Sequence, residues 1–135
     1  MADAARSLLN DLRRILLVHH KAVLDSERER YDRDVERITS SGQLLNLVLQ
    51  DPFFAWLHEL SELIVAIDER LFAKEDVANA GDATRLLAQA RTLLTPVEGG
   101  PGFRGQYFEA LQRDPNVVVA HAEVAKLRRS RPAAG

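Results

Sequence analysis

Four side chains of the kinds that bind metals or move protons fall on predicted inward helix faces: His20, Glu27, Asp68 and His121. Two imidazoles and two carboxylates form a ligand set that suits zinc, manganese or iron. If the first, central and last helices are neighbours, these four side chains approach one another in the core of the bundle. This pattern indicates one possible function, that of a metal-dependent helical-bundle enzyme.

The spacing of these residues argues against a metal site. Di-iron bundles carry Glu-x-x-His on two helices, and the sequence has no such pair of motifs. His20 and Glu27 are two helical turns apart, about 10 Å along the axis, which is too far to share one ion. We therefore expect no catalytic residue, no bound metal and no other cofactor, and instead a hydrogen-bonded network around these side chains.

The other two histidines are predicted to lie outside the core. His58 falls on the solvated face of its helix, on the same side as Glu62, and this pattern indicates an exposed polar pair. His19 falls at the edge of the apolar stripe of the first helix, which predicts a partly exposed side chain.

A long helix positions His20 and Glu27, because the first 41 residues contain neither glycine nor proline. The spacing predicts one helix over residues 1–40, with an inward stripe that is interrupted by His20, Glu27 and Asp34. The apolar residues of this stripe and its flank are Leu9, Leu12, Leu16, Leu17, Val23, Leu24, Tyr31, Val35 and Ile38.

The length of this helix predicts a partner. About 35 helical residues span about 52 Å, whereas a compact domain of this chain length has a diameter of about 37 Å. The helix must therefore bend, break or extend past the core. An overhang that carries Tyr31, Val35 and Ile38 predicts a homodimer interface, because a two-fold dimer covers both overhangs at once.

The whole chain, residues 1–135, reads as one all-α domain: a bundle of about four main helices plus short ones. Helix starts are marked by Ser40, and by Asp-Pro pairs at Pro52 and Pro115. The predicted parts are the long N-terminal helix 1–40, central helices 41–72 with one helix over 52–72, and C-terminal helices 73–135 with a Gly/Pro loop at 95–105.

The composition excludes several classes of function. Hydrophobic residues make up 46% of the chain and charged residues 28%, which is typical of a globular protein. The formal net charge of −2 gives no general attraction for nucleic acid or anionic membrane, and no apolar run is long enough for a membrane span. We expect a cytoplasmic protein with neither nucleic acid nor membrane as a partner. The chain has no cysteine and therefore no disulfide or thiolate chemistry.

Several segments resemble a family of small bacterial proteins with no assigned function. They are residues 51–57 (DPFFAWL), 60–64 (LSELI), 110–115 (ALQRDP) and 120–124 (AHAEV). The resemblance implies a bacterial origin and an all-helical fold, and it brings no catalytic motif with it.

These observations lead to three hypotheses from different classes. The first is a non-enzymatic helical interaction or regulatory protein that forms a homodimer through its first helix. The second is the metal-dependent enzyme described above. The third is a small-ligand pocket lined by the aromatic residues Phe53, Phe54, Trp56 and Tyr107, although aromatic residues at helical spacing usually form core.

Overall fold

The computed structural model describes the backbone of residues 2–129 and the side chains of residues 3–126. This part of the chain is all α-helical, as predicted, and contains no strand. Its elements are α1 (Ala2–Asp34), α2 (Ser41–Gln50), a 3-10 helix (Pro52–Leu57), α3 (His58–Leu71), α4 (Ala80–Leu93), α5 (Gly102–Arg113) and α6 (Pro115–Arg129).

Helix α1 is the centre of the bundle, in contact with α3, α4, α5, α6 and the 3-10 helix. Its buried apolar side chains run from Ala5 to Tyr31, a distance of about 39 Å along the axis. The other helices of the same chain therefore cover α1 along its length. The overhang that the helix length predicted is absent from the described residues, because the bundle is built along α1 and not as a sphere around part of it.

Helix α1 ends at Asp34, earlier than the predicted boundary near residue 40. The carboxylate of Asp32 accepts the backbone N–H of Ile38 at 2.7 Å, and the N–H groups of Val35 and Glu36 both donate to the Tyr31 carbonyl. A short acidic side chain that binds backbone in this way competes with helical hydrogen bonding. The chain turns, and Ile38 enters the core with 7% of its surface exposed.

The three helix starts predicted at Ser40, Pro52 and Pro115 are confirmed, since they depend on local hydrogen bonds. Ser40 Oγ accepts the Gln43 N–H at 3.1 Å, Asp51 accepts that of Phe53 at 2.9 Å, and Asp114 accepts that of Asn116 at 2.9 Å.

The predicted single helix over residues 52–72 is wrong in its first part, which is a 3-10 helix followed by α3. Residues three apart share one face of a 3-10 helix. This spacing places Phe54 and Leu57 together in the core, where both are fully buried.

The predicted Gly/Pro loop at 95–105 is shorter than expected, because α5 already begins at Gly102. Gly105 lies inside α5 where the backbone of Gly100 crosses it. A Cβ at position 105 would lie 1.8 Å from the Gly100 carbonyl oxygen, so only glycine fits there.

Candidate functional site

The four predicted site residues each bind a different partner. Helix α1 does contact α3 and α6, as the metal hypothesis required. However, His20 contacts Ser61 Oγ at 3.0 Å, Asp68 pairs with Arg13, and His121 contacts the Tyr107 hydroxyl at 2.6 Å. No three histidine or acidic side chains among the described residues are grouped so as to hold a metal ion. The metal-dependent enzyme gains no specific contact in its favour and stays a prediction.

Glu27 is a fully buried carboxylate that connects three helices. Its Oε1 accepts Arg30 Nε at 3.0 Å and also an N–H of Arg113 from α5. Its Oε2 accepts Arg30 Nη2 at 3.0 Å and the indole N–H of Trp56 at 2.9 Å. The carboxylate is therefore the acceptor of four hydrogen bonds, and α1, α5 and the 3-10 helix share it.

Two guanidinium groups surround this one carboxylate. Burial lowers the pKa of Arg113, while the negative charge of Glu27 opposes that effect. The guanidinium of Arg30 also lies 3.9 Å from the ring centre of Phe53. This cation–π contact covers the flat face of the guanidinium. These contacts saturate the carboxylate with structural partners, as a hydrogen-bonded core network requires.

A second polar chain crosses the core through Tyr107. The hydroxyl of this fully buried side chain lies 2.8 Å from His19 Nε2 and 2.6 Å from His121 Nδ1. A hydroxyl has one hydrogen, so it donates to one imidazole and accepts from the other. The shorter contact, to His121, fits the O–H donor, and the longer contact fits an N–H donor on His19.

His19 is a buried neutral histidine. Burial lowers its pKa to about 3, and the nearby His121 and His20 act in the same direction. Burial also lowers the pKa of His20. Within the described residues the Nδ1 atom of His19 has no hydrogen-bond partner, which agrees with a ring that carries its hydrogen on Nε2.

The predicted environments of His19 and His20 are wrong, because each residue has the environment that was predicted for the other. His19 has 1% of its surface exposed and lies in the core, where the sequence predicted His20, which is only partly buried. The prediction counted Leu17 and Leu24 as flanks of the buried stripe, which moved the centre of the stripe toward His20. In the structure Leu17 is 41% exposed. Asp34 is also not part of the stripe: it is exposed and pairs with Arg33 at 3.0 Å.

The four aromatic residues of the ligand-pocket hypothesis pack as core. Phe54 and Tyr107 are fully buried. Phe53 contacts Phe54 with ring centres 5.3 Å apart, and Trp56 contacts Phe103 at 5.2 Å. Their surfaces are therefore used by neighbouring rings of the same chain.

The three predicted interface residues differ in what they offer to a partner. Tyr31 and Ile38 are 5% and 7% exposed, because the chain's own core covers them. Val35 is 58% exposed. The predicted homodimer stays a prediction, and of these three residues Val35 alone has a largely exposed side chain.

Large apolar side chains are exposed at several places, among them Phe72 at 68% and Val119 at 67%, and two more lie one helical turn apart on α2. Five of its ten residues are leucine or valine, and none of them is buried. We call these five residues, Leu44, Leu45, Leu47, Val48 and Leu49, the α2 leucine face. At 100° per residue they form an arc of about 200°, which includes one polar residue, Ser41, and is twice the width that a surface helix needs to cover a core.

Only about half of this arc packs against the rest of the described chain. Leu44, Leu47 and Val48 are partly buried and pack against the core, mainly on the side of the 3-10 helix. Leu45 and Leu49, one helical turn apart, are 60% and 61% exposed. The sequence shows that α2 is apolar and uncharged. Only the folded structure shows that the side of α2 with Leu45 and Leu49 is not covered by the described chain.

Histidine 58 anchors the end of α2. Its Nε2 lies 2.9 Å from the Val48 carbonyl in the last helical turn, where carbonyls have no partner within the helix. A carbonyl only accepts, so His58 donates. The prediction that His58 and Glu62 form an exposed pair is therefore confirmed only for Glu62, which is exposed. His58 is half-buried and fixes α2 to the start of α3.

Comparison of the chain with protein-family models, with curated proteins and with solved structures gives no match. The resemblance to a bacterial protein family therefore stays a prediction. Over residues 2–129, no helix combines the length and the apolar character that a membrane crossing needs.

Proposed function

We propose that this chain is a non-enzymatic helical interaction protein whose working surface is the α2 leucine face. The observation that carries the proposal is the exposure of Leu45 and Leu49, at 60% and 61%, on a helix with no charged residue. Solvent-facing apolar surface that is grouped in this way is typical of protein contact sites.

The two exposed leucines would add to the affinity for any partner that covers them. Complete burial of a leucine side chain contributes roughly 1.5–3 kcal/mol. With about 60% of each side chain exposed, Leu45 and Leu49 each have roughly 1–2 kcal/mol still to gain from a partner. The pair accounts for one to three powers of ten in affinity.

The α2 helix is also held in a defined orientation, which lowers the entropy cost of binding. Ser40 caps its first turn, and Asp51 donates its backbone N–H to the Leu47 carbonyl at 2.8 Å. The His58 contact fixes its last turn. The exposed leucines are thus presented on an ordered helix. A bacterial source, a cytoplasmic location and a homodimeric state, which the sequence predicts, are part of this proposal.

Site-specific photo-crosslinking tests the proposal. A photoreactive phenylalanine analogue replaces Leu45 in one variant and Val65, which is 52% exposed on α3, in the matched control. We expect crosslinks from position 45, with the partner identified by mass spectrometry and its binding then measured with purified components. Equal crosslinking from both positions, or none from position 45, would rule out α2 as the working surface.

A further inference from the structure

We propose that a small cavity beside Glu27 binds a phosphate group that retains a proton. The cavity has a volume of about 210 Å³ and is lined by the second half of α1 and by the junction of α5 and α6. Its polar lining consists of three arginines, a serine and two acidic residues: Arg30, Arg33, Arg113, Ser26, Glu29 and Asp114. This site is independent of the proposed function of the α2 leucine face, so either proposal can fail without the other.

The arginines carry more hydrogen-bond donors than Glu27 uses. Glu27 accepts two N–H groups of Arg30 and one of Arg113, whereas each guanidinium has five. The two arginine side chains are 28% and 27% exposed, so a solute in the cavity can reach their remaining N–H groups. Arg33 lies one helical turn after Arg30 and donates its Nε–H to Asp34 at 3.0 Å. Guanidinium groups in such a cluster bind phosphate oxygens through strong, charge-assisted hydrogen bonds.

The positive charges around the cavity repel one another. Burial is the largest cause that lowers the pKa of Arg113, and the acidic Glu27 and Glu109 oppose it. The charges of Arg30 and Arg33 lower this pKa further. An anion in the cavity reduces the repulsion among the three arginines and is therefore favoured there.

Asp114 determines which anion fits. Its Oδ1 accepts the Asn116 N–H at 2.9 Å as the cap of α6, which fixes the carboxylate at the cavity and leaves Oδ2 to accept a hydrogen bond from a ligand. Sulfate and ionised carboxylates have no hydrogen to donate, so Asp114 repels them. The second pKa of a phosphate monoester is about 6. Near that pH the group donates its O–H to Asp114 while its other oxygens accept from the arginines.

The other polar residues and the size of the cavity are compatible with this ligand. Ser26 is only 4% exposed, and a hydroxyl both donates to and accepts from phosphate oxygens. Glu29 is exposed, so water and salt screen its charge. The cavity is smaller than the roughly 300–1,000 Å³ of sites for drug-sized ligands. It therefore suits inorganic phosphate or the phosphate end of a monoester.

A titration followed by ¹H–¹⁵N NMR tests the site, because it gives both the Kd and the position of binding. The full chain is titrated with sodium phosphate and with sodium sulfate at pH 6 and constant ionic strength. We expect a phosphate Kd below about 1 mM and sulfate binding at least about fivefold weaker. Sulfate carries the greater charge at this pH, so a preference for phosphate requires more than charge attraction. The largest shifts should occur at Arg30, Arg33 and Arg113.

Two variants test the assigned contacts. Arg33→Gln removes a guanidinium outside the Glu27 network and should raise the phosphate Kd at least about threefold. Its matched control is Arg14→Gln, which removes the same charge from an exposed position of the same helix and should leave the Kd unchanged. Asp114→Asn keeps the cap, because asparagine caps as well as aspartate, but it offers the ligand an N–H donor. This variant should bind sulfate more tightly and lose the preference for phosphate.

The outcomes that would overturn the inference are specific. They are a wild-type phosphate Kd above about 10 mM, equal affinities of the wild-type chain for phosphate and sulfate, or equal Kd values for Arg33→Gln and Arg14→Gln. A third titration, with glycerol 3-phosphate, distinguishes the two sources of the phosphate group. Tighter binding than that of inorganic phosphate assigns the site to a monoester, and weaker binding assigns it to free phosphate.

Discussion

Helices α1 and α2 reverse the usual relation between side-chain polarity and burial. In α1 the charged side chain of Glu27 is completely buried, and in α2 the apolar side chain of Leu45 is 60% exposed. Glu27 is buried because Arg30, Arg113 and Trp56 supply donors for both of its oxygens. Leu45 is exposed because Leu44, Leu47 and Val48 form the side of α2 that packs against the core. Burial follows the available partners, and polarity alone does not determine it.

Substitution of Glu27 tests the first half of this comparison and has the largest expected effect. Glu27→Gln keeps the shape of the side chain but leaves the guanidinium groups of Arg30 and Arg113, whose side chains are 28% and 27% exposed, without their counter-charge. Because water can reach both arginines, we expect a loss of about 2–3 kcal/mol of unfolding free energy, mainly from the charged hydrogen bonds that are removed. Urea denaturation measures the loss. The control Glu29→Gln, at an exposed position of the same helix, should change stability by less than about 0.5 kcal/mol. Similar values for the two variants would show that the buried network adds little stability.

The buried histidines give the next largest effect, which appears as a pH dependence. In the folded chain the pKa of His19 is about 3, whereas an unfolded histidine titrates near 6.5. Between these values the unfolded chain binds more protons, so the free energy of unfolding falls as the pH is lowered. Burial lowers the pKa of His20 as well and adds in the same direction.

Between pH 6.5 and pH 5, His19 alone should lower the unfolding free energy by about 1.5 kcal/mol. Urea denaturation at several pH values measures this slope in the wild-type chain. His19→Gln removes the titrating group and should flatten the slope over this interval. An unchanged slope in the variant would show that His19 does not control stability in acid.

Removal of the α2 anchor gives the smallest effect and tests the second half of the comparison. His58→Ala deletes the hydrogen bond to the Val48 carbonyl, which contributes about 1 kcal/mol. Amide hydrogen exchange should show roughly fivefold faster local opening in α2, with little change in α1. Glu69→Ala, at an exposed position of α3, is the control. Faster exchange in both helices would mean that α2 and the core open together.

Local chemistry was predictable from the sequence. The all-α class, and the helix starts at Ser40, Pro52 and Pro115, follow from hydrophobic spacing and from caps that act within three residues. The early end of α1 depends on an Asp32 contact six residues away. Many residues can make such a contact, and the helical periodicity of the sequence continues past it.

The sites were less predictable, because they depend on how the helices are rotated against one another. The sequence identified Glu27 as an inward polar residue, but its partner Arg113 is 86 positions away. A rotation of α1 by about 100° exchanges the environments of His19 and His20, and the pattern of leucines did not fix that rotation. It is set by the shapes of five neighbouring elements.

The amino-acid sequence by itself determined the helix starts at Ser40, Pro52 and Pro115, that the chain is an all-α protein, and that α2 is apolar and uncharged. Local hydrogen bonds, helix propensity and composition are properties of neighbouring residues, and they act before the chain is folded. Tertiary packing decided that Tyr31 and Ile38 are core, that His19 and not His20 is buried, and that Leu45 and Leu49 face outward. The burial of these side chains depends on which helix faces pack against one another, and only the complete arrangement of the helices determines that packing.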